Sequence, residues 1–243
     1  GAKELQKVGR EVEQAISTTS SPSLREVPDV RVKVSGAMQG VILTGVELRD
    51  ILMVLNAFDT VSTWIGRLAT DFINLHRIRE MIPRLPFLVE KLARTVDDQG
   101  VIKDSASEKL GTIRGSMRQA QERLRKRAED LTRQRSFADY LQEPIVTIRN
   151  GRYVLPIKQE YASKVPGIIH DQSASGQTVF LEPSELVEMA NQLRRLELME
   201  RDEVDRILTE VSESISESGH EILEGIEALG QFDLGMAKAR LVS

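Results

Sequence analysis

The chain has 243 residues, of which 40% are hydrophobic and 29% charged. That is enough apolar material for one or two packed domains, and it is not the composition of a disordered chain. Aromatic residues make up 4% and Cys is absent, which argues against sugar-stacking sites and β-sandwiches and excludes disulfides and thiolate metal sites. With 33 basic and 37 acidic residues the net charge is −4, so any surface for a polyanion must be a local patch.

His76, His170 and His220 are far apart in sequence and leave little room for zinc or triad chemistry. No apolar run approaches the roughly 20 residues of a membrane span, and no signal peptide precedes the first helix, so a cytoplasmic protein is expected. Gly1-Ala2 stand where Met would begin a chain, and a helical pattern is still running at Ala239–Ser243. The chain therefore reads as a segment of a longer protein.

Leu5, Val8, Val12 and Ile16 recur at helical spacing, predicting a helix from Lys3 to about Ser20. Val27 to Gly45, with Pro28, Gly36 and Gly40, reads as a linker. Thr44 or Gly45 then precedes a long helix from Val46 to Phe72, apolar on several faces and so expected to be buried among others. Pro83 and Pro86 bound short helices on either side. Val96–Asp104 reads as a turn, and Asp104 or Ser105 can cap a helix that runs to about Leu141.

Along that helix Leu110, Met117, Leu124, Leu131 and Ala138 fall at every seventh position. Ile113 and Ala120 add the interleaved seam, while Arg127 and Gln134 interrupt it. At ~1.5 Å per residue the helix would span roughly 57 Å. After Glu143-Pro144 the period changes to two. Ile145–Arg149, Asn150-Gly151 and Arg152–Ile157 form a hairpin signal, because Asn-Gly supplies both positive-φ residues of a type I′ turn. Gly167–Gln172 and Gln177–Leu181 read as a second strand pair around Ser173–Gly176, with a short helix at Gln159–Lys164 between the pairs. Pro183 reads as the first helical position of another long helix to about Leu229. Leu186, Leu193 and Leu196 begin its seam, and after a phase shift near Glu200 Val204, Leu208, Val211, Ile215 and Ile222 continue it; Gly219, Gly225 and Gly230 weaken its far end, and a last helix starts at Phe232.

Two heptad helices flanking a short β insert must run out and back. Asp104–Leu141 carries nine basic and six acidic residues, and Pro183–Glu227 four basic and thirteen acidic; opposite signs favour their pairing. The fold class is mainly α: a helical core body (1–103), an outgoing helix (104–142), a β insert (143–182), a return helix (183–229) and the start of a further helix (230–243).

Residues 141–156, LQEPIVTIRNGRYVLP, resemble the clamp region of the second bacterial MutS paralogue, the form that carries a C-terminal Smr nuclease domain. Residues 165–183, VPGIIHDQSASGQTVFLEP, are a second specific stretch, and 232–240, FDLGMAKAR, resemble the segment preceding that family's ATPase. Weaker likeness extends to the N-terminus, so the resemblance covers nearly all of the chain.

The resemblance implies that the antiparallel arm is a lever and the β insert a clamp at its tip. It implies that the full-length protein is a dimeric ATPase and endonuclease. It also implies association with branched DNA and suppression of recombination, or with ribosomal RNA and rescue of collided ribosomes. The sequence departs from the complete pattern in having no G-x-x-x-x-G-K-[ST] phosphate loop and no Smr domain. Catalytic residues, cofactors and metals are therefore expected to be none in this segment, with ATP and Mg implied for the missing domain.

In a two-residue hairpin Arg149 lies opposite Arg152, Ile148 opposite Tyr153, Thr147 opposite Val154 and Val146 opposite Leu155. Ile148, Tyr153, Val146 and Leu155 would share an apolar face, with both arginines projecting from the other. Like charges directly opposite are destabilising and are easier to explain if a phosphate meets them, although solvated edge charges would look the same. Arg149, Asn150 and Arg152, with Lys158 and Lys164 as weaker companions, are the candidate nucleic-acid contacts.

The basic run Arg123, Arg125, Lys126, Arg127, Arg133 and Arg135 straddles several helix faces and is expected mainly to meet the acidic return helix or water. His170-Asp171-Gln172-Ser173 does not form a relay, since neighbours in a strand point to opposite faces. Ser173–Gly176 reads as an ordinary turn. Asp97-Asp98 and Asp202-Glu203 with Asp205 read as solvated faces rather than metal sites. The alternative function is a coiled-coil dimerisation or protein-docking scaffold with no nucleic-acid contact. A stand-alone enzyme is argued against by the residue inventory.

Overall fold

Thr44 fixes the start of a 21-residue helix through a capping box. Its hydroxyl accepts from the Glu47 N–H at 3.4 Å, and the Glu47 carboxylate accepts from the Thr44 N–H at 2.8 Å, which satisfies donors that a helix start leaves open. In the computed structural model, which describes residues 2–22, 24 and 27–242, this helix is α3 (Gly45–Ile65). It follows α1 (Ala2–Thr18) and α2 (Arg31–Met38) and precedes α4 (Ile73–Met81) and α5 (Pro86–Thr95). Next come α6 (Glu108–Arg133) and α7 (Arg135–Ala138), then strands β1 (Thr147–Arg149), β2 (Arg152–Lys158), β3 (Gly167–Gln172) and β4 (Thr178–Pro183), then α8 (Ser184–Glu217) and α9 (Gly219–Val242). The protein is mainly helical with one small antiparallel sheet. It divides into two units, residues 1–107 with 204–243, and residues 108–203.

In the first unit α3 buries Leu48, Ile51, Val54, Leu55, Phe58, Val61 and Ile65, as its many-sided apolar pattern predicts. Val8 and Val12 of α1 and Ile222, Phe232 and Met236 of α9 are also buried, and Trp64 meets Phe232 edge-on at 5.7 Å. The start of α4 takes its cap from another helix: the Glu11 carboxylate accepts from the N–H groups of Asn74 and Leu75 at 3.2 and 2.9 Å.

Three expectations are corrected here. The stretch read as a linker holds α2, because burial of Val30, Val34 and Ala37 outweighs the helix cost of Gly36. The helix expected to reach Phe72 stops at Ile65, with Gly66 as its C-cap. The return helix ends at Glu217 rather than near Leu229, and α9 then runs unbroken through Gly225 and Gly230. Gly225 is a point of close approach rather than a weak spot, since a Cβ there would lie 2.5 Å from Pro83 Cδ and 2.7 Å from Phe58 Cζ.

In the second unit the outgoing helix is shorter than expected. A 3-10 turn covers Asp104–Ala106 and Ser107 is extended, so α6 starts at Glu108. It ends at Arg133, where Gln134 turns extended with ψ 131°. Leu110, Ile113, Ala120, Leu124 and Leu131 are buried at the predicted spacing, but Ala128 replaces Arg127 in the seam, and Ala138 is exposed. A four-residue step from Leu124 keeps the row apolar and turns Arg127 outward to Glu185 at 2.6 Å.

Arg114 pairs with Glu200 at 2.8 Å and Lys109 with Glu203 at 3.0 Å. Rising numbers on α6 thus meet falling numbers on α8, so the two helices run antiparallel within this unit. Of the seam expected on α8, Leu186, Val211 and Ile215 are buried, while Leu193, Leu196, Val204 and Leu208 are half-buried, and Leu198, outside the seam, is exposed.

The sheet order is β1-β2-β4-β3, all antiparallel. Asn150 at φ 51° and Gly151 at φ 72° make the β1–β2 turn, which sets Arg149 opposite Arg152 and Ile148 opposite Tyr153. Leu155, Ile157, Val179 and Leu181 share a core with Leu124, Ala128, Leu131 and Leu186. The expected apolar face is not closed at its outer end, where Ile148 is 57% exposed. Pro183 is the last residue of β4, opposite Gly167, and the helix begins at Ser184. In β3 the register shifts between Ile169 and Asp171, leaving His170 as the extra residue of a bulge.

Candidate nucleic-acid interface

Each of the two facing arginines has a carboxylate of its own. Arg149 Nε lies 3.2 Å from Asp171 Oδ2. Its guanidinium sits 4.2 Å over the Phe180 ring, and Nη1 donates to Thr147 Oγ1 at 2.9 Å. One side chain from β1 therefore reaches β4 and β3. Arg152 Nη1 lies 3.3 Å from Glu182 Oε1, and Nη2 donates to Asn191 Oδ1 at 2.9 Å. The Glu182 side chain is 1% exposed, and its second oxygen lies 2.7 Å from His170 Nε2. Repulsion between the arginines is relieved inside the fold, without a phosphate. Arg149 keeps an outer edge in water, with 38% of its side chain exposed.

Asn150 is exposed, and its positive φ serves the turn. Lys158 and Lys164 lie elsewhere. Arg152 and Lys158 are the two ends of β2, six steps or about 20 Å apart at ~3.3 Å per residue, so the five candidates form two groups. Gln159–Lys164 is a 3-10 helix with Lys158, the last residue of β2, at its N-cap, and its period of three sets positions 161 and 164 along one side. The Lys158 ammonium lies 5.9 Å and the Lys164 ammonium 5.1 Å from the Tyr161 ring centroid. Tyr140 packs beside Tyr161 at 5.1 Å and 39°. Lys158 also donates to the Asp139 carbonyl at 3.2 Å. Among the described residues neither lysine has a carboxylate partner. Sequence reading missed Tyr161, although the Lys-x-x-Tyr-x-x-Lys spacing in a short 3-10 segment signals it.

No protein-family model matches the chain. It is similar to proteins named Endonuclease MutS2. It is 41% identical over 221 residues to that of Latilactobacillus sakei, covering 90% of this chain and 28% of the relative. It is 41% identical over 212 residues to that of Pelotomaculum thermopropionicum, covering 87% and 27%, and 35% identical over 239 residues to that of Bacillus cereus, covering 97% and 30%. The chain belongs to the MutS2 family. It spans less than a third of the length of these curated relatives.

The remaining candidates of this MutS2-family chain are either paired with nearby carboxylates or exposed to solvent. Arg125 meets Glu122 and Glu129, each at 2.6 Å, and its hydrogen bonds hold the Glu122 carboxyl below the usual range. Arg123, Lys126, Arg133 and Arg135 are exposed without an ion-pair partner among the described residues. His170, Asp171 and Ser173 point to different partners: Glu182, Arg149 and the Thr178 N–H. The 173–176 segment is a turn with Gly176 at φ 72°. Asp97 accepts from the N–H groups of Val101 and Gln99, which depress its pKa, and Glu203 is taken by Lys109. No group of three His, Asp or Glu among the described residues could hold a metal ion, and no helix there is long and apolar enough to cross a membrane.

Proposed function

We propose that this chain is the nucleic-acid-clamping lever and core region of a MutS-like ATPase. On this reading ATP and Mg binding, ATP hydrolysis and nuclease activity belong to parts of the full-length protein outside these residues. The partner is branched DNA, in suppression of recombination, or ribosomal RNA, in rescue of collided ribosomes, and the full-length protein works as a cytoplasmic homodimer. The relatives' name, endonuclease, supports a nucleic-acid substrate for the family.

The observation that carries the reading is the state of the cations in the 108–203 unit. Lys158 and Lys164 have no carboxylate partner, and Arg149 is half-exposed with an ion pair that a phosphate could replace. Lysines held near one another without counter-charge fit a phosphate backbone. Fluorescence anisotropy of the chain with branched DNA, linear duplex and structured RNA over a salt series tests it. Binding that weakens steeply with salt and is lost in Lys158→Glu/Lys164→Glu is expected, with Arg149→Gln weakening it further and Asn150→Gly, which keeps the turn, reporting the Asn side chain. No binding to any of the three at low salt overturns it.

A protein-docking or dimerisation scaffold is the second reading, favoured by the exposure of Ile168 (47%) and Ile169 (53%) on the edge strand β3. It predicts concentration-dependent association by light scattering and no salt-sensitive binding to phosphate polymers.

A further inference from the structure

We infer that Tyr161, with Lys158 and Lys164 beside it and Tyr140 behind it, is a stacking site for an unpaired base, the two ammoniums holding the phosphates on either side of that nucleotide. The inference rests on the nucleic-acid reading above and narrows it: the ligand must offer at least one base outside a duplex.

Lys158 ends β2 and stands at the N-cap of the 3-10 segment that carries Tyr161 and Lys164, so two cations from adjoining elements reach one ring. The ring is only half-buried, and Tyr140 at 5.1 Å fixes it from one side, leaving an aromatic surface that is both positioned and accessible. Both ammoniums stay within 6 Å of the ring centroid, at 5.9 and 5.1 Å. Cation–π contacts at exposed sites are weak and easily exchanged for a phosphate oxygen. Among the described residues no carboxylate pairs with either lysine, in contrast to Arg149 and Arg152, which Asp171 and Glu182 neutralise.

A planar aromatic surface with two ammoniums within 6 Å of its centre and no carboxylate on either matches the repeat of a nucleic-acid strand, phosphate–base–phosphate. Every base has a π-face, so such a site tolerates sequence. A base inside a duplex has both faces covered by its neighbours, so only an unpaired nucleotide reaches the ring.

The test uses the intact chain with a labelled oligothymidylate 20-mer and a blunt duplex of equal length, at one salt concentration. The main variant is Tyr161→Leu, which keeps apolar bulk against the core but has no aromatic face; Tyr161→Phe keeps the face. Tyr161→Leu is expected to lower affinity for the single strand about tenfold and to leave duplex affinity unchanged, with Tyr161→Phe behaving as wild type. A single-stranded oligonucleotide carrying 2-aminopurine is expected to be quenched on binding to wild type and not to Tyr161→Leu. If both polymers bind and Tyr161→Leu loses nothing, or loses both equally, the stacking site is wrong while nucleic-acid binding stands. If wild type binds neither polymer, the stacking site is wrong, while the nucleic-acid reading stands or falls with branched DNA and structured RNA.

Discussion

The guanidinium of Arg149 lies 4.2 Å over the ring of Phe180, and its Nε reaches Asp171 at 3.2 Å. A side chain rooted on the outermost strand β1 is thereby tied to β4 and β3. Beneath this face Val154 of β2 is fully buried. Arg149→Ala is expected to lower the unfolding free energy by about 1 kcal/mol, from an exposed cation–π contact and a half-exposed ion pair. Arg149→Lys should fall between, since an ammonium keeps the charge but cannot stack as a plane. Urea denaturation followed by circular dichroism measures both, and a neutral Arg149→Ala would show that the side chain ties nothing together.

The Arg152–Glu182–His170 cluster carries a larger predicted effect. Glu182→Ala removes a carboxylate with 1% exposure that serves two partners. Breaking a buried pair costs several kcal/mol; because Arg152 is 28% exposed and retains Asn191, about 3 kcal/mol is expected. Glu182→Gln keeps the shape and one acceptor and should cost less. The ordering Ala, then Gln, then wild type in urea midpoint is the test, and equal midpoints for all three would refute it.

Two glycines of α9 should respond in opposite directions. Gly225→Ala would put a Cβ 2.5 Å from Pro83 and 2.7 Å from Phe58, and overpacking of this kind costs about 1–3 kcal/mol. At Gly230 a Cβ meets nothing within 4 Å, so Gly230→Ala should stabilise by up to about 1 kcal/mol through helix propensity. Thermal melts of the two variants, one falling and one rising, separate packing from propensity.

Asp50 sets an acid limit on the first unit. It is 8% exposed. Burial pushes its carboxyl up, but hydrogen bonds from Lys33 at 2.5 Å and Arg49 at 2.6 Å outweigh that and hold its pKa below the usual range. A carboxyl depressed in the folded state contributes stability that is complete above its unfolded pKa, about 4, and lost as pH falls through the folded value. Asp50→Asn should therefore be less stable than wild type near neutral pH, and the gap should shrink below about pH 4. A gap that stays constant in urea titrations across that range would contradict this.

Features encoded by neighbours in sequence were legible. Asn150-Gly151 set the hairpin register, the Asp97–Gly100 turn formed where it was read, and the heptad row gave Leu110, Ile113, Ala120, Leu124 and Leu131 as core. Features decided by distant residues were not. Helix α2 forms because Val30, Val34 and Ala37 find a buried face, which local composition with Gly36 does not reveal. The charges of Arg149 and Arg152 were visible, but their partners Asp171 and Glu182 come from strands brought alongside only by the β1-β2-β4-β3 order. Arg127 interrupted the heptad on paper; in the fold a single longer step to Ala128 passes over it.

The extra residue in β3 has a consequence for the free side of the sheet. Two isoleucines are exposed there, on a strand paired along one side only by β4, which is the situation that invites another chain to add its own strand and polymerise. The bulge at His170 leaves only Gly167–Ile169 in regular register before the ladder is thrown out of step, too short a template for lasting strand addition. Any partner at this edge has to grip the isoleucine side chains rather than extend the sheet. The histidine whose ring closes the Glu182 cluster is also the residue that keeps the edge from acting as a seed.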